Sequence, residues 1–257
     1  QTCALPISRT EDLEKRFPHV DVFMRPQMFT PLLDLTQSIP LGDGCLPAEL
    51  DLKATGPTAF VNVVHGCDNF CTFCIVPYRR GRERSRPVDE ILREVEGLVA
   101  QGVREVTLLG QKVDSYGKDL GGVDLADLLT AVNGVDGIDR IRFLTSYPLG
   151  VTDKLVDAVA NLPKVCEHIN IPVQSGNDTQ LELMHRGYTL AQFQDRMRVI
   201  KQKLPGASLA TDIIVGFSGE TEEQFQHTLD LMEEVRFDVD RKSTRLNSSH
   251  TDISRMP

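Results

Sequence analysis

The stretch His65-Gly66-Cys67-Asp68-Asn69-Phe70-Cys71-Thr72-Phe73-Cys74 places three thiols in eight positions. Cysteine thiolates are the ordinary ligands of iron–sulfur clusters, which normally take four of them. Three thiolates at C-x3-C-x2-C hold three irons of a [4Fe–4S] cubane and leave the fourth iron open. The chemistry indicated is coordination of a substrate or cofactor at that open iron. A structural zinc centre is the competing metal, and it needs four ligands at tetrahedral geometry. Only His65 is near enough in sequence to complete one, and His-x-Cys-x3-Cys-x2-Cys is not a usual finger spacing. A disulfide knot fits less well. Six cysteines in 257 residues, no signal peptide and no apolar run of membrane-spanning length read as reduced thiols in a cytoplasmic, non-membrane protein. Cys166 reads as a small buried hydrophobe, and Cys45 falls in the Gly- and Pro-containing stretch Leu41 to Leu50.

Directly after the cysteine loop, Arg79, Arg80, Arg82, Arg84 and Arg86 crowd into eight positions with Glu83 as the sole acid. The net charge of −9 does not advertise a nucleic-acid binder, so any such affinity has to be local. Charge-rich segments are usually solvated faces. Five arginines beside a metal loop are more than a solvated face needs, and arginine contacts to phosphate are a usual source of sequence-independent RNA affinity. These five are the candidate RNA-contacting residues.

The elements that must position these groups alternate in type from Thr58 onward. Strands are expected at 59–64, 105–109, 140–145, 167–173 and 208–215, with a sixth beginning at 237–239. Between them lie helices at 87–101, 124–133, 152–161, 178–185, 189–204 and 221–235. In the first, Val88, Ile91, Leu92, Val95, Leu98 and Val99 form one apolar stripe, with Pro87 at the start and Gly102 beyond the end. Thr152 is positioned to cap the third helix, and Thr221 with Gln224 forms a capping box. Strands alternating with helices predict an α/β fold with a parallel sheet. Cys67 to Cys74, Gly110-Gln111, Ser146, Gln174-Ser175 and Gly216 each follow a strand. In βα barrels the loops at the carboxyl ends of the strands build the active site. The expected architecture is therefore a partial (β/α) TIM-like barrel with Cys67, Gly110, Ser146, Gln174 and Gly216 at one mouth.

At this point the ordered blocks carry a resemblance. Gly66-Cys67, Val76-Pro77-Tyr78, Arg82 to Pro87 and Leu108-Leu109-Gly110-Gln111 are followed by Phe143 to Ser146, Pro172 to Gly176, Arg186-Gly187-Tyr188-Thr189 and Thr211 to Phe217. Together they resemble the radical S-adenosylmethionine tRNA methylthiotransferases over residues 58–239, and within them the group acting on N(6)-dimethylallyladenosine beside the anticodon. The resemblance implies a barrel of the radical S-adenosylmethionine type. It implies one [4Fe–4S] cluster on Cys67, Cys71 and Cys74, and S-adenosyl-L-methionine as cofactor. It places Phe73, Ile214 and Gly216 near the adenine, Gly110 and Gln111 near the methionine amino group, and Gln174 and Ser175 near the ribose. It further implies tRNA as substrate, an electron donor such as flavodoxin or ferredoxin, and a monomer. Related targets in the same family are threonylcarbamoyl-adenosine in tRNA and a ribosomal-protein aspartate. A reading of another class is a non-catalytic, metal-stapled RNA-binding module.

Three positions depart from the family pattern. Lys112 and Asp114 stand where asparagine is usual, and Ser218 replaces a usual proline. The expected organisation is a non-native-looking leader at 1–8, the tail of an N-terminal α/β domain at 9–40, a linker at 41–57, the core at 58–240 and a non-native-looking tail at 241–257. Family members carry a second, auxiliary cluster on three further cysteines, whereas Cys3 alone precedes Cys45 here. The expectation for this chain alone is a poorly stable protein that at best forms deoxyadenosine and does not modify tRNA.

Overall fold

Parallel pairing dominates the backbone of the structure, a computed structural model that describes residues 15–20, 23 and 56–244, with backbone alone at 240–244. The expectations for residues 1–14, 21–22, 24–55 and 245–257 lie outside the described residues. Strand β1 (Thr58–Asn62) leads into the short β2 (Val64–His65), the cysteine loop, helix α1 (Val76–Arg80) and β3 (Arg84–Ser85). Then follow α2 (Val88–Ala100), β4 (Glu105–Leu109), α3 (Leu125–Asn133), β5 (Arg140–Phe143), α4 (Asp153–Asn161) and β6 (His168–Asn170). The chain continues through α5 (Asp178–Leu183), α6 (Leu190–Lys203), β7 (Ser208–Val215), α7 (Glu222–Val235) and β8 (Val239–Thr244).

β1 pairs in parallel with β4, from Thr58 opposite Glu105 to Asn62 opposite Leu109, and β4 pairs with β5. β6, β7 and β8 form a second parallel set. The two sets meet where Ile141 bridges Val165 and the Ser146 amide donates to the Asn170 carbonyl at 2.9 Å. The major strands thus neighbour one another in chain order, as in a winding βα barrel, and open at β1 and β8 among the described residues. The expected partial barrel is what the structure shows.

The longer helices pack by an apolar stripe. Ile91, Val95 and Leu98 are the buried residues of α2, and Leu155, Val156 and Val159 those of α4. Fully burying side chains of this kind contributes about 1.5–3 kcal/mol each. Several helix starts are defined by side-chain caps, whereas α1 and α2 begin without one. Thr152 accepts from the Leu155 amide, and Thr221 with Gln224 makes the reciprocal box. The same device at Asp124 with Asp127 and at Thr189 with Gln192 fixes two more starts.

Two differences from the sequence reading have physical causes. The run 59–64 is not one strand: Val63 donates to Leu109 of β4 and accepts from Arg86, so the chain leaves the parallel sheet there. It then pairs antiparallel as β2 with β3, Val64 opposite Ser85 and His65 opposite Arg84. The core does not stop at 240 either. β8 runs to Thr244, with Asp212 opposite Arg241 and Val215 opposite Thr244. The long β7 offers backbone partners over eight residues, and main-chain pairing needs no apolar alternation in the incoming strand. Among the described residues no helix is long and apolar enough to cross a membrane.

Candidate functional site

The β2–β3 pair closes the neck of the cysteine loop. The Cys67 amide donates to the Gly81 carbonyl at 3.2 Å, and Gly66 adopts φ +75° against the same turn. A Cβ on Gly66 would stand 2.1 Å from the Arg82 carbonyl oxygen, so the approach requires glycine. Asp68 and Glu83 cross the neck reciprocally: the Glu83 amide donates to Asp68 Oδ1, and the Asp68 amide donates to Glu83 Oε1. The far side of the loop is tied to the end of α5. The Thr72 amide donates to the Met184 carbonyl at 3.2 Å and its hydroxyl to the Leu183 carbonyl at 3.0 Å.

Cys67, Cys71 and Cys74 line one cavity of about 140 Å³. Its other walls come from the loops after β4 (Gln111, Lys112), β5 (Thr145, Ser146, Tyr147) and β6 (Pro172, Gln174), together with Arg186. These are carboxyl ends of successive strands. Four of the five non-glycine residues with positive φ among the described residues, Phe70, Thr145, Gln174 and His185, lie on these loops. For the β-branched Thr145, at φ +67°, the conformation is strongly disfavoured, and such strain concentrates where a site needs it. Among the described residues no three His, Cys, Asp or Glu side chains are gathered tightly enough to share a single metal ion. The three thiols line one shared cavity. His65, the fourth ligand that a zinc site would recruit, sits in β2 and is not among the cavity walls.

Burial pushes the Cys67 thiol up. A ligand must be deprotonated to bind iron, so metal binding here releases a proton. Two cations line the cavity beside the thiols, Lys112 buried and Arg186 half-buried. Lys112 Nζ lies 3.2 Å from Glu83 Oε1, donates to Asn69 Oδ1 at 3.0 Å and sits 5.3 Å from the Tyr147 ring centre. Burial pulls its pKa down, but Glu83 and Asp114 more than offset this and leave it raised. Arg186 donates to Cys71 Sγ at 3.4 Å, to the Pro172 carbonyl at 3.0 Å and to the Tyr188 hydroxyl at 3.3 Å. Its guanidinium carbon stands 4.9 Å from the Tyr147 ring centre and 5.3 Å from that of Tyr188. Tyr188 is pushed up to about 12, chiefly by burial. Beneath the floor, burial pushes Asp114 up to about 6, although the 2.6 Å hydrogen bond from the Tyr147 amide and the charge of Lys112 pull it down.

The other expected site residues divide by place. Phe73, Gln111 and Gln174 wall the cavity. Phe73 also meets Phe217, just beyond β7, edge to face at 6.5 Å. Gly110 stands behind the wall, where a Cβ would meet Val64 at 2.3 Å. Gly216, at φ +70°, ends β7 at the same mouth but outside this lining. Ser175 is fully buried and faces away, toward Thr228 of α7 and the Asn177 amide. Ile214 is buried and its amide donates to the Gln174 carbonyl, holding that loop. The arginines are not one free patch. Arg80, Arg82 and Arg84 are exposed, Arg82 pairing with Asp68 at 2.7 Å. Arg79 is half-buried. Arg86 is engaged internally, donating to the Asn62 carbonyl at 2.8 Å and to Glu94 at 2.6 Å.

Lys112 stands out in the sequence only as a departure from a family pattern, and Arg186 only as part of a block. Their contacts reach Asn69 and Cys71 across 43 and 115 positions, beyond any local signal. Ser146 Oγ, on the cavity wall, is buried without a hydrogen-bond partner. An orphaned hydroxyl beside three thiols and a guanidinium suits a polar ligand held next to a cluster. On this count the residues present fit a [4Fe–4S] cluster with S-adenosyl-L-methionine beside it.

Comparison with known proteins agrees with the geometry. Residues 61–232 match the family model described as the Radical SAM superfamily. The tRNA-2-methylthio-N(6)-dimethylallyladenosine synthase of Dictyoglomus thermophilum is 49% identical over 240 residues, covering 89% of this chain and 54% of that protein. The protein of the same name from Caldicellulosiruptor saccharolyticus is 53% identical over 187 residues, covering 72% and 40%. The chain spans about half the length of the curated relatives it matches. Among solved structures, the radical S-adenosylmethionine methyltransferase TsrM from Kitasatospora setae, with cobalamin and a [4Fe-4S] cluster bound, superposes with TM-score 0.60 at 17% identity, covering 73% of this chain and 36% of that one. Coproporphyrinogen III oxidase (HemN) from Escherichia coli gives 0.53 at 16%, covering 74% and 45%. At such identities these two speak for the fold alone. With a family match across most of the barrel and three thiols around one cavity at its mouth, the chain belongs to the radical SAM superfamily.

Proposed function

We propose that this chain is the catalytic core of an enzyme that adds a methylthio group to N(6)-dimethylallyladenosine in tRNA. The observation carrying this reading is the three-thiol cavity, set in a barrel about half identical to proteins named for that reaction. Cys67, Cys71 and Cys74 would hold the cluster, and Phe73, Gln111, Ser146 and Gln174 the S-adenosyl-L-methionine. When bound, the reduced cluster supplies the electron that cleaves the cofactor and begins radical chemistry. The protein's own part is positional. The β2–β3 neck and the Thr72 tether fix the loop that carries the thiols. Ser175 and Ile214 brace the Gln174 loop from behind, and Gly110 and Gly216 turn the chain at the mouth. Exposed Arg80, Arg82 and Arg84, with Arg79 beside them, would meet tRNA phosphates next to the cavity. The working enzyme would be a cytoplasmic monomer drawing electrons from a flavodoxin or ferredoxin.

The test is anaerobic reconstitution of the full-length protein with iron and sulfide, followed by reductant, S-adenosyl-L-methionine and tRNA. Deoxyadenosine together with 2-methylthio-N(6)-dimethylallyladenosine in the digested tRNA is expected. Methylthiolated threonylcarbamoyl-adenosine instead would move the target. No deoxyadenosine, with zinc retained and no cluster absorbance, would replace the proposal with the metal-stapled binding module.

A further inference from the structure

We propose that Arg186 is a positioning residue that sets the reduction potential of the cluster, through its hydrogen bond to Cys71 and its half-buried positive charge. The inference rests on the reading of Cys67, Cys71 and Cys74 as cluster ligands. Of the residues around the cavity, Arg186 is the cation whose donor reaches a ligating sulfur, at 3.4 Å. Its two other hydrogen bonds are to the Pro172 carbonyl, 3.0 Å, and the Tyr188 hydroxyl, 3.3 Å. Both rings that flank it, Tyr147 and Tyr188, are themselves anchored. Tyr147 accepts from the Gly187 amide at 2.8 Å, and Tyr188 donates to the Val173 carbonyl at 2.7 Å. The guanidinium is therefore fixed before any cluster arrives.

A residue that merely packed the loop would not need this construction. The Thr72 bonds to Leu183 and Met184 already tie the cysteine loop to the same segment. What Arg186 adds is a half-buried positive charge against a sulfur. Reduction adds one electron to the cluster, with no bond made or broken at Arg186. A one-electron reductant of low potential supplies it, dithionite in vitro. The extra negative charge spreads onto the sulfurs, and a fixed N–H donor and cation stabilise that form over the oxidised one. Hydrogen bonds to the sulfurs and net local charge are levers on cluster potential. Arg186 thus makes the cluster easier to reduce.

The experiment is an EPR-monitored redox titration of the reconstituted chain with Arg186→Met, alongside iron and sulfide analysis. Reduction is expected to become at least tenfold less favourable, a midpoint about 59 mV more negative. An unmoved midpoint at full iron and sulfide load overturns the proposal. Should Arg186→Met lose its fold or its cluster, Arg186→Gln is titrated instead. It retains an amide donor without the charge, and the same two outcomes decide. Failure of both variants to hold any cluster also overturns it, because a tuning residue is dispensable for assembly. If the wild-type chain itself takes up no cluster, the ligand reading fails, which is a distinct result.

Discussion

Removing the charge of Lys112 tests whether the floor of the cavity is held by a buried ion pair. Lys112 and Glu83 are each 9% exposed in their side chains, and their charged atoms are 3.2 Å apart. In Lys112→Met the stem is replaced at similar volume, but Glu83 stays buried without its cation. Breaking one side of a buried pair typically costs about 3–5 kcal/mol. Glu83 retains the Asp68 amide at 3.3 Å, which puts this case at the lower end, about 3 kcal/mol. The loss also frees Asn69 of the cysteine loop from its 3.0 Å contact. For a domain of this size, 3 kcal/mol corresponds to about 6–12 °C in Tm. Anaerobic urea and thermal unfolding of the cluster-free chain, followed by circular dichroism, measure it. Adding Glu83→Gln removes the orphaned charge, so the double variant should recover at least about half of the loss. A drop below about 2 °C for Lys112→Met, or a double variant less stable than the single, refutes the reasoning.

Other expectations follow from single features. Asp114, held at about 6 against an ordinary 3.8, contributes stability that is present below pH 3.8 and lost as pH rises through 6. Asp114→Asn should therefore stabilise the fold at pH 7.5 by at most about 3 kcal/mol, a gain that fades between pH 6 and 4 in Tm measurements. Gly66→Ala forces a Cβ to within 2.1 Å of the Arg82 carbonyl oxygen and should cost more than about 2 kcal/mol, with reduced iron uptake. Normal iron uptake with normal stability would count against the neck as described. Cys71→Ala should abolish the cluster. A full iron and sulfide load with continuing S-adenosylmethionine cleavage would remove Cys71 from the ligand set. For RNA, Arg84→Ala in the full-length protein should flatten the salt dependence of tRNA binding by about 0.7–0.9 in log–log slope. Arg86→Ala should leave that slope unchanged and lower Tm, since Arg86 holds Asn62 and Glu94.

How much was legible depended on the range of the signal. The cysteines, the helix stripes and the Thr221–Gln224 box are local patterns, and local patterns survive translation into structure. The break at Val63 was not legible, because it depends on partners at Leu109 and Arg86 rather than on the apolar run itself. β8 beyond 240 was illegible for a related reason, since backbone pairing with β7 leaves no side-chain signature. In the site, Phe73, Gln111 and Gln174 could be placed at the mouth by their position after strands. Ser175 sits one residue beyond Gln174, and alternation along the chain turns it inward to Thr228. The arginine cluster looked uniform in sequence, yet Arg84 lies exposed within β3, while Arg86, just past its end, donates to Asn62 and Glu94.

The tether from Thr72 to Leu183 spans 111 positions of chain. At about 5–20 residues per second, the ribosome delivers Leu183 on the order of 5–20 s after Thr72. During that interval the three thiols are already made, while the segment that closes their loop is still unsynthesised. A nascent chain in that interval presents an open loop without Arg186 or Tyr188 around it. Closure of the loop that carries Cys67, Cys71 and Cys74 is therefore a late event in synthesis, complete only once the chain has passed α5.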